Sequence, residues 1–296
     1  MVNLITELFC FIDDFCIALS EQQVKLESNT AKNRPTRTPG LSVSEIVTIS
    51  LLPLFLESKF TNFKHAYIQM LYFFKKELFP AMPTYERFKE LQKSALPILL
   101  LLFRHLVSQN KKTDCAYVDS TPLRVCKNKR IFNHKVFKGW APRGKSTIGW
   151  FFGLKLHLGI DLRGNIIGAT IHPGNKDDRS FVEQLFQGFK GAVFADKGDI
   201  SKELFLKLWE QGIKLVTGVK TNMKNILMSL KEKILLRKRS LIESVFSVLK
   251  RKFDLEHSRH RSITGFFIHV VSVLIAYQMQ SNKPAIKMDG YDFSNP

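Results

Sequence analysis

The rhythm of hydrophobic positions changes near residue 114. Before it, apolar residues recur three and four apart, the spacing of helices with one buried stripe. Residues 1–27 predict a helix with Leu4, Leu8, Phe11, Ile12, Phe15 and Leu19 on one side. Residues 28–41, with Pro35, Pro39 and Gly40, read as a linker. Ser42-Val43-Ser44-Glu45 has the capping-box pattern and predicts a helix to about Ser58. Further helices are expected over 62–74, from Pro83-Thr84 to Gln92, and over 94–109. Residues 1–110 thus read as an all-helical N-terminal domain. Its short helices suit a helix-turn-helix DNA reader, and equally a plain helical bundle.

From Cys115 the pattern is that of short buried strands. Cys115–Val118 is an apolar run ending in Asp119 and an expected turn, Ser120-Thr121-Pro122. Residues 149–161 alternate, Arg163-Gly164-Asn165 turns the chain, and 166–172 return, which predicts a hairpin. Asp177 or Asp178 is expected to cap a helix over 179–189. Gly191–Ala195 is a second apolar run ending in an acid, Asp196. A helix over 200–211 and a strand over 212–219 follow, and a basic segment, 220–238, leads to a last amphipathic helix with Leu241, Val245, Val248 and Leu249 on its apolar side. Residues 263–279 are apolar but contain His269, Ser272 and Gln278, and predict a buried helix rather than a membrane span. The expected organisation is helical domain 1–110, α/β domain 111–262 and a C-terminal helix and tail, 263–296.

Charge narrows the function. The 296 residues are 45% hydrophobic and carry 45 Lys and Arg against 26 Asp and Glu, a formal +19. Such an excess favours a polyanionic partner, nucleic acid ahead of a membrane surface. Cys10, Cys16, Cys115 and Cys126 form no C-x-x-C pair and read as buried thiols in a reducing compartment. The apolar N-terminus contains Glu7, Asp13 and Asp14 and lacks a basic leader, so no signal peptide is expected. Thr121 to Trp150 holds eight Lys and Arg, no Asp or Glu, and the aromatics Phe132, Phe137, Trp140 and Trp150. Cations there could follow phosphates while rings stack on unpaired bases. A solvated basic loop with its rings in the core has the same composition.

The chemistry resides in three acids. In the last amphipathic helix Arg239, Glu243 and Lys250 fall on one face at about 100° per residue. Ser240-x-x-Glu243 also fits an ordinary capping box. Two strands each ending in Asp, at Asp119 and Asp196, with a helix bringing Glu243 across them, would gather three carboxylates on a basic surface. They would repel one another unless cations neutralised them. Two Mg²⁺ or Mn²⁺ ions held by Asp119, Asp196 and Glu243 would do so, and such a pair suits in-line displacement at phosphorus. Glu256 is a rival for the third position. Lys155 and His157, on one face of a strand, are expected near the site, and Arg239, Lys250, Arg259, His260 and Arg261 are expected on the DNA backbone.

The chain resembles DDE transposases with a ribonuclease H-like catalytic domain, and more closely the insertion-sequence 982 family. The resemblance is carried by Tyr117-Val118-Asp119-Ser120-Thr121-Pro122, Phe137-Lys138-Gly139, residues 149–157, residues 173–179, Asp196-Lys197-Gly198, residues 235–239, Ile242-Glu243 and residues 256–262. Arg239-x3-Glu243-x6-Lys250 is similar to the Y-x2-R-x3-E-x6-K signature of related enzymes, with Leu236 at the tyrosine position. Asp199 stands where an aromatic is usual, and residues 266–269 are less polar than is usual. The resemblance implies a mixed α/β sheet flanked by helices, with Asp119, Asp196 and Glu243 as metal-binding catalytic acids. The aromatics of the basic segment lead to a separate expectation, that residues 124–150, with Lys138 and Trp140, grip element-end DNA. Water would attack a phosphodiester at the element end, and the released 3′-hydroxyl would then attack target DNA. A homodimer on DNA in the bacterial cytoplasm, at the nucleoid, is the implied setting. A DNA-binding protein without chemistry, or a nuclease of the same fold, would carry much of the same pattern.

Overall fold

A computed structural model describes residues 2–26, 40–56, 60, 62–109, 113–146, 149–177, 181–196, 202–218, 228–256 and 260–286. The chain forms two compact units, Met1–Arg104 with Thr264–Ala276, and His105–Ile263 with Tyr277–Pro296.

The first unit is helical. The helix α1 (Val2–Leu26) buries Ile5, Leu8 and Ile12, while Leu4, expected on the buried side, is exposed. Most of the expected linker, residues 28–39, lies outside the described residues. Ser42 and Glu45 form the capping box that starts α2 (Val43–Leu51). This helix ends well before Ser58. Pro53 lacks the N–H that another turn would need, and the chain makes a 3₁₀ turn over Leu52–Leu54. Asn62 caps α3 (Phe63–Phe74) and Thr84 caps α4 (Tyr85–Ser94). The Tyr67 ring lies 4.7 Å from that of Phe88, and its hydroxyl donates to the Pro83 carbonyl at 2.9 Å. The Gln92 amide donates to Ser50 and ties α4 to α2. The helix α5 (Leu96–Ser108) follows.

The second unit is built on one mixed sheet of β1 (Cys115–Cys126), β2 (Arg143–Ser146), β3 (Gly149–Ile160), β4 (Ile166–Pro173), β5 (Gly191–Ala195) and β6 (Ile213–Thr217). The order is β2-β3-β1-β5-β6, with β4 also on β3. β3 runs antiparallel to β1, β2 and β4, whereas β1, β5 and β6 are parallel. Its helices are α6 (Val182–Leu185), α7 (Lys202–Glu210), α8 (Leu230–Arg237) and α9 (Ser240–Arg251). Alternation assigns the faces. Ala116, Val118, Val193, Ala195, Ile213 and Leu215 pack with residues of α6 and α7 on one side. Tyr117 and Phe194 point to the other, where the Tyr117 hydroxyl donates to the Leu235 carbonyl of α8 at 2.8 Å and α9 crosses β1. The result is the mixed α/β sheet flanked by helices implied by the sequence resemblance, preceded by N-terminal helices. β1 and β3 approach so closely at Gly153 that a Cβ there would lie 2.0 Å from the Leu123 carbonyl oxygen.

Several expectations change. β1 does not turn at Ser120 but continues through Pro122 to Cys126. β5 pairs only with Cys115–Tyr117, so beyond that point one edge of β1 has no β5 partner and a proline is tolerated. The helix expected over 179–189 shrinks to α6, because Phe186 leaves helical geometry and Gly188 takes φ 77°. Phe181 precedes it without a side-chain cap, and Asp178 lies outside the described residues. Within the segment expected to be merely basic, Ser229 and Glu232 form a capping box that opens α8. Ser240 caps nothing. Arg239 precedes α9 in helical conformation, and the turn from α8 runs almost directly into α9. Cys115 and Cys126 are buried, but Cys10 is exposed. α10 (Ile263–Met279) matches the expected helix and is largely buried. Among the described residues no single helix is long and apolar enough to cross a membrane.

Candidate metal and nucleic-acid site

Strand register brings the first two acids together. Tyr117 pairs with Phe194 across the parallel strands β1 and β5. Asp119 stands two residues beyond Tyr117, and Asp196 two beyond Phe194, so both acids extend the same face. α9 crosses that face and supplies Glu243 from its first turn. One side chain meets all three. The Arg239 guanidinium lies 3.5 Å from Asp119, 3.7 Å from Asp196 and 3.9 Å from Glu243.

The acids differ in environment. The Asp119 side chain is 28% exposed, against 59% for Asp196 and 63% for Glu243. Burial lifts the Asp119 carboxyl from its ordinary 3.8 to about 6. The Ser120 backbone N–H, donating to it at 2.7 Å, and the Arg239 charge pull it down, while Asp196 and Glu243 push it up. Hard carboxylate oxygens converging from three elements suit a divalent ion such as Mg²⁺ or Mn²⁺. As arranged around the guanidinium, however, no three His, Cys, Asp or Glu donors among the described residues are grouped closely enough to hold one.

The rivals fall elsewhere. The Glu256 carboxylate is taken by Arg124 at 3.4 Å and Lys250 at 3.1 Å. Asp254 adopts φ 50° and the Leu255 N–H returns to the Leu249 carbonyl, which folds Glu256 back beside α9. Asp161 accepts the Arg163 and Asn165 backbone N–H groups and closes the β3–β4 turn. Asp199 lies outside the described residues. Lys155 and His157 are not on the acids' face. β3 pairs Leu158 with Asp119, which puts His157 opposite Ser120 and Lys155 opposite Pro122, on the other side of the sheet. There the His157 ring packs 5.4 Å from Phe181 and 5.7 Å from His172.

The expected DNA contacts scatter. Arg239 faces the acids instead of solvent, and Lys250 is paired with Glu256. Lys138 and Trp140 are exposed beside a turn. His260 is half-buried, Arg261 is exposed, and Arg259 lies outside the described residues. The β2–β3 hairpin lies in the basic, aromatic segment expected to grip DNA, and its pairing adds what the sequence did not show. Lys145 pairs with Trp150, and Arg143 and Lys145 place their charges 6.0 and 5.9 Å from the exposed Trp150 ring. The Asn128 amide donates to the Trp150 carbonyl at 2.8 Å, and Phe132 nearby in sequence is almost wholly exposed. The alternation Arg143-x-Lys145 facing Trp150 was the available signal.

A family model described as the transposase DDE domain matches residues 109–263. The chain belongs to the DDE transposase domain family. A cryo-EM structure of a piggyBac transposase synaptic complex with hairpin DNA is similar, with 11% sequence identity and a TM-score of 0.45, covering 93% of this chain and 71% of that one. No curated protein matches the chain.

Proposed function

We propose that this chain is the transposase of a bacterial insertion sequence of the 982 family, cutting DNA at the element's ends and joining the freed 3′-hydroxyl to target DNA. The observation that carries the reading is the convergence of Asp119, Asp196 and Glu243 on one point of the Tyr117–Phe194 face. These three carboxylates would hold two divalent ions, Mg²⁺ or Mn²⁺. When bound, the ions would supply activation of the attacking oxygen and charge neutralisation at the leaving one. The residues do the rest. Ser120 orients Asp119 through its N–H. Arg143, Lys145 and Trp150 offer phosphate contacts and a stacking ring. Lys138 and Trp140 present a second basic and aromatic pair, and Arg259, His260 and Arg261 a third basic stretch. The formal +19 supports DNA as the partner. A homodimer follows from the need to hold two element ends at once, and the bacterial cytoplasm, at the nucleoid, is the setting this assigns.

The test is strand cleavage and joining on labelled linear DNA carrying the element's ends, with Mg²⁺, Mn²⁺ or EDTA, beside Glu243→Gln. Metal-dependent nicking with joined products, both lost in the variant, supports a transposase. Nicking without joining favours a nuclease of the same fold, and tight binding without cleavage a DNA-binding protein that lacks chemistry.

A further inference from the structure

Arg239 sits where ions would have to enter. Its distances to the acids, 3.5 to 3.9 Å, exceed the ~2.7–2.9 Å of a charge-assisted hydrogen bond. Its buried Nη1 has no hydrogen-bond partner. The guanidinium therefore screens three carboxylates without being locked to any of them. It also spaces them, consistent with the lack of a closed donor group among the described residues. A guanidinium stays charged at any working pH, so it cannot leave by losing a proton and can only move. Its long side chain springs from the α8–α9 junction, ahead of the helix that carries Glu243.

We propose that Arg239 is a displaceable counter-ion: in the metal-free protein it holds the three acids apart and offsets part of their charge, and divalent ions entering the site drive it off toward the phosphate side. The inference rests on reading Asp119, Asp196 and Glu243 as the metal ligands. Three negative charges balanced by one positive charge leave the site attractive to dications. With two dications bound, the surroundings become positive and repel the guanidinium, whose best remaining partner is a DNA phosphate. Metal loading and DNA binding then strengthen each other, since the group released by one is used by the other.

The experiment compares the full-length wild type with Arg239→Gln, Arg239→Lys and Asp119→Asn. It measures Mn²⁺ binding by calorimetry without DNA, and thermal unfolding in EDTA and in Mn²⁺. Arg239→Gln removes a competing charge and should bind Mn²⁺ more tightly, by roughly tenfold. It should also melt below wild type in EDTA, where the acids now repel, and gain more from Mn²⁺. Arg239→Lys keeps the charge and should stay near wild type in both. A Mn²⁺ affinity in Arg239→Gln equal to or weaker than wild type, with an equal gain in melting temperature, overturns the inference while leaving the metal site intact. Wild type that binds no Mn²⁺, or binds it as Asp119→Asn does, overturns the reading of the three acids and the inference with it.

Discussion

Tyr117 and Phe194 are register partners on parallel strands, with ring centroids 5.5 Å apart, and each stands two residues before an acid of the candidate site. The pair also anchors the roof, because the buried Tyr117 hydroxyl donates to the Leu235 carbonyl of α8, just ahead of Arg239 and Glu243. One aromatic contact therefore sets both the spacing of Asp119 from Asp196 and the height of the helix above them.

Tyr117→Phe tests that anchor. The substitution keeps the ring and removes one of two donors to the Leu235 carbonyl, which still accepts the Lys238 N–H at 3.0 Å, a loss of about 0.5–1.5 kcal/mol. The midpoint of urea unfolding should fall at unchanged slope, which equilibrium denaturation measures. Because α8 is loosened above the acids, Mn²⁺ affinity should fall as well. A variant as stable as wild type would mean that α8 is held by other contacts.

Asp119 gives the metal-free protein a pH signature. Its folded carboxyl titrates near 6 and the unfolded one near the ordinary 3.8, so between these values the folded state binds more protons. Stability from this group is therefore greatest in acid, declines as pH rises from about 4 to about 6, and is flat above. Asp119→Asn abolishes that segment. In EDTA the variant should match or exceed wild type above pH 6, and the difference should vanish near pH 4. In Mn²⁺ the order reverses, because only wild type gains from the ion. Melting curves across pH, with and without the metal, read both effects.

The sequence made the two strand-borne acids legible because each ends a short apolar run, and it made Glu243 legible through helical spacing. It could not show how strands pair. The alternation puts Lys155 and His157 on one face, but only the register of β3 on β1, with Leu158 opposite Asp119, decides that they face away. The sequence predicts an end to β1 at Asp119 and a turn over Ser120-Thr121-Pro122, because the absence of a β5 partner that lets Pro122 stay in the strand is a tertiary fact. Helix α8 is hard to see in the sequence because its Lys and Arg outweigh the Ser229–Glu232 box. Ser240-x-x-Glu243 imitated a cap that a preceding helix makes unnecessary. Arg239 read as a DNA contact from its place on the helix face, and its position between three acids depends on elements about 120 residues apart in the chain.

The β2–β3 hairpin offers a separable test of DNA contact. Trp150 is exposed, and Arg143 and Lys145 flank its ring. Under the proposed function Trp150→Ala removes a stacking surface worth about 1–3 kcal/mol per base, hence roughly 5- to 150-fold in affinity for single-stranded end DNA. The salt dependence should not change. Arg143→Gln should instead lower the slope of log affinity against log salt by up to about one. Fluorescence anisotropy at several salt concentrations distinguishes the two, and affinities unchanged in both variants would remove this hairpin from the interface.

Lys250 should reach DNA only by leaving Glu256. That carboxylate holds both Lys250 and Arg124, so two cations on the proposed binding side are partly neutralised within the protein. A phosphate arriving there must compete with Glu256, and the exchange of one anion for another reduces the net gain from each contact. Glu256→Gln removes the competitor and frees both cations. DNA affinity at low salt should rise, and the salt slope should steepen by up to about two, one for each cation. Lys250→Ala should weaken binding in the wild type and cancel about half of the steepening in the Glu256→Gln background. The double-mutant comparison is what matters, because Lys250→Ala also strips Glu256 of one partner and can lower stability independently. If Glu256→Gln leaves both affinity and slope unchanged, the Arg124–Glu256–Lys250 cluster is a structural clamp under α9 and Lys250 does not touch DNA.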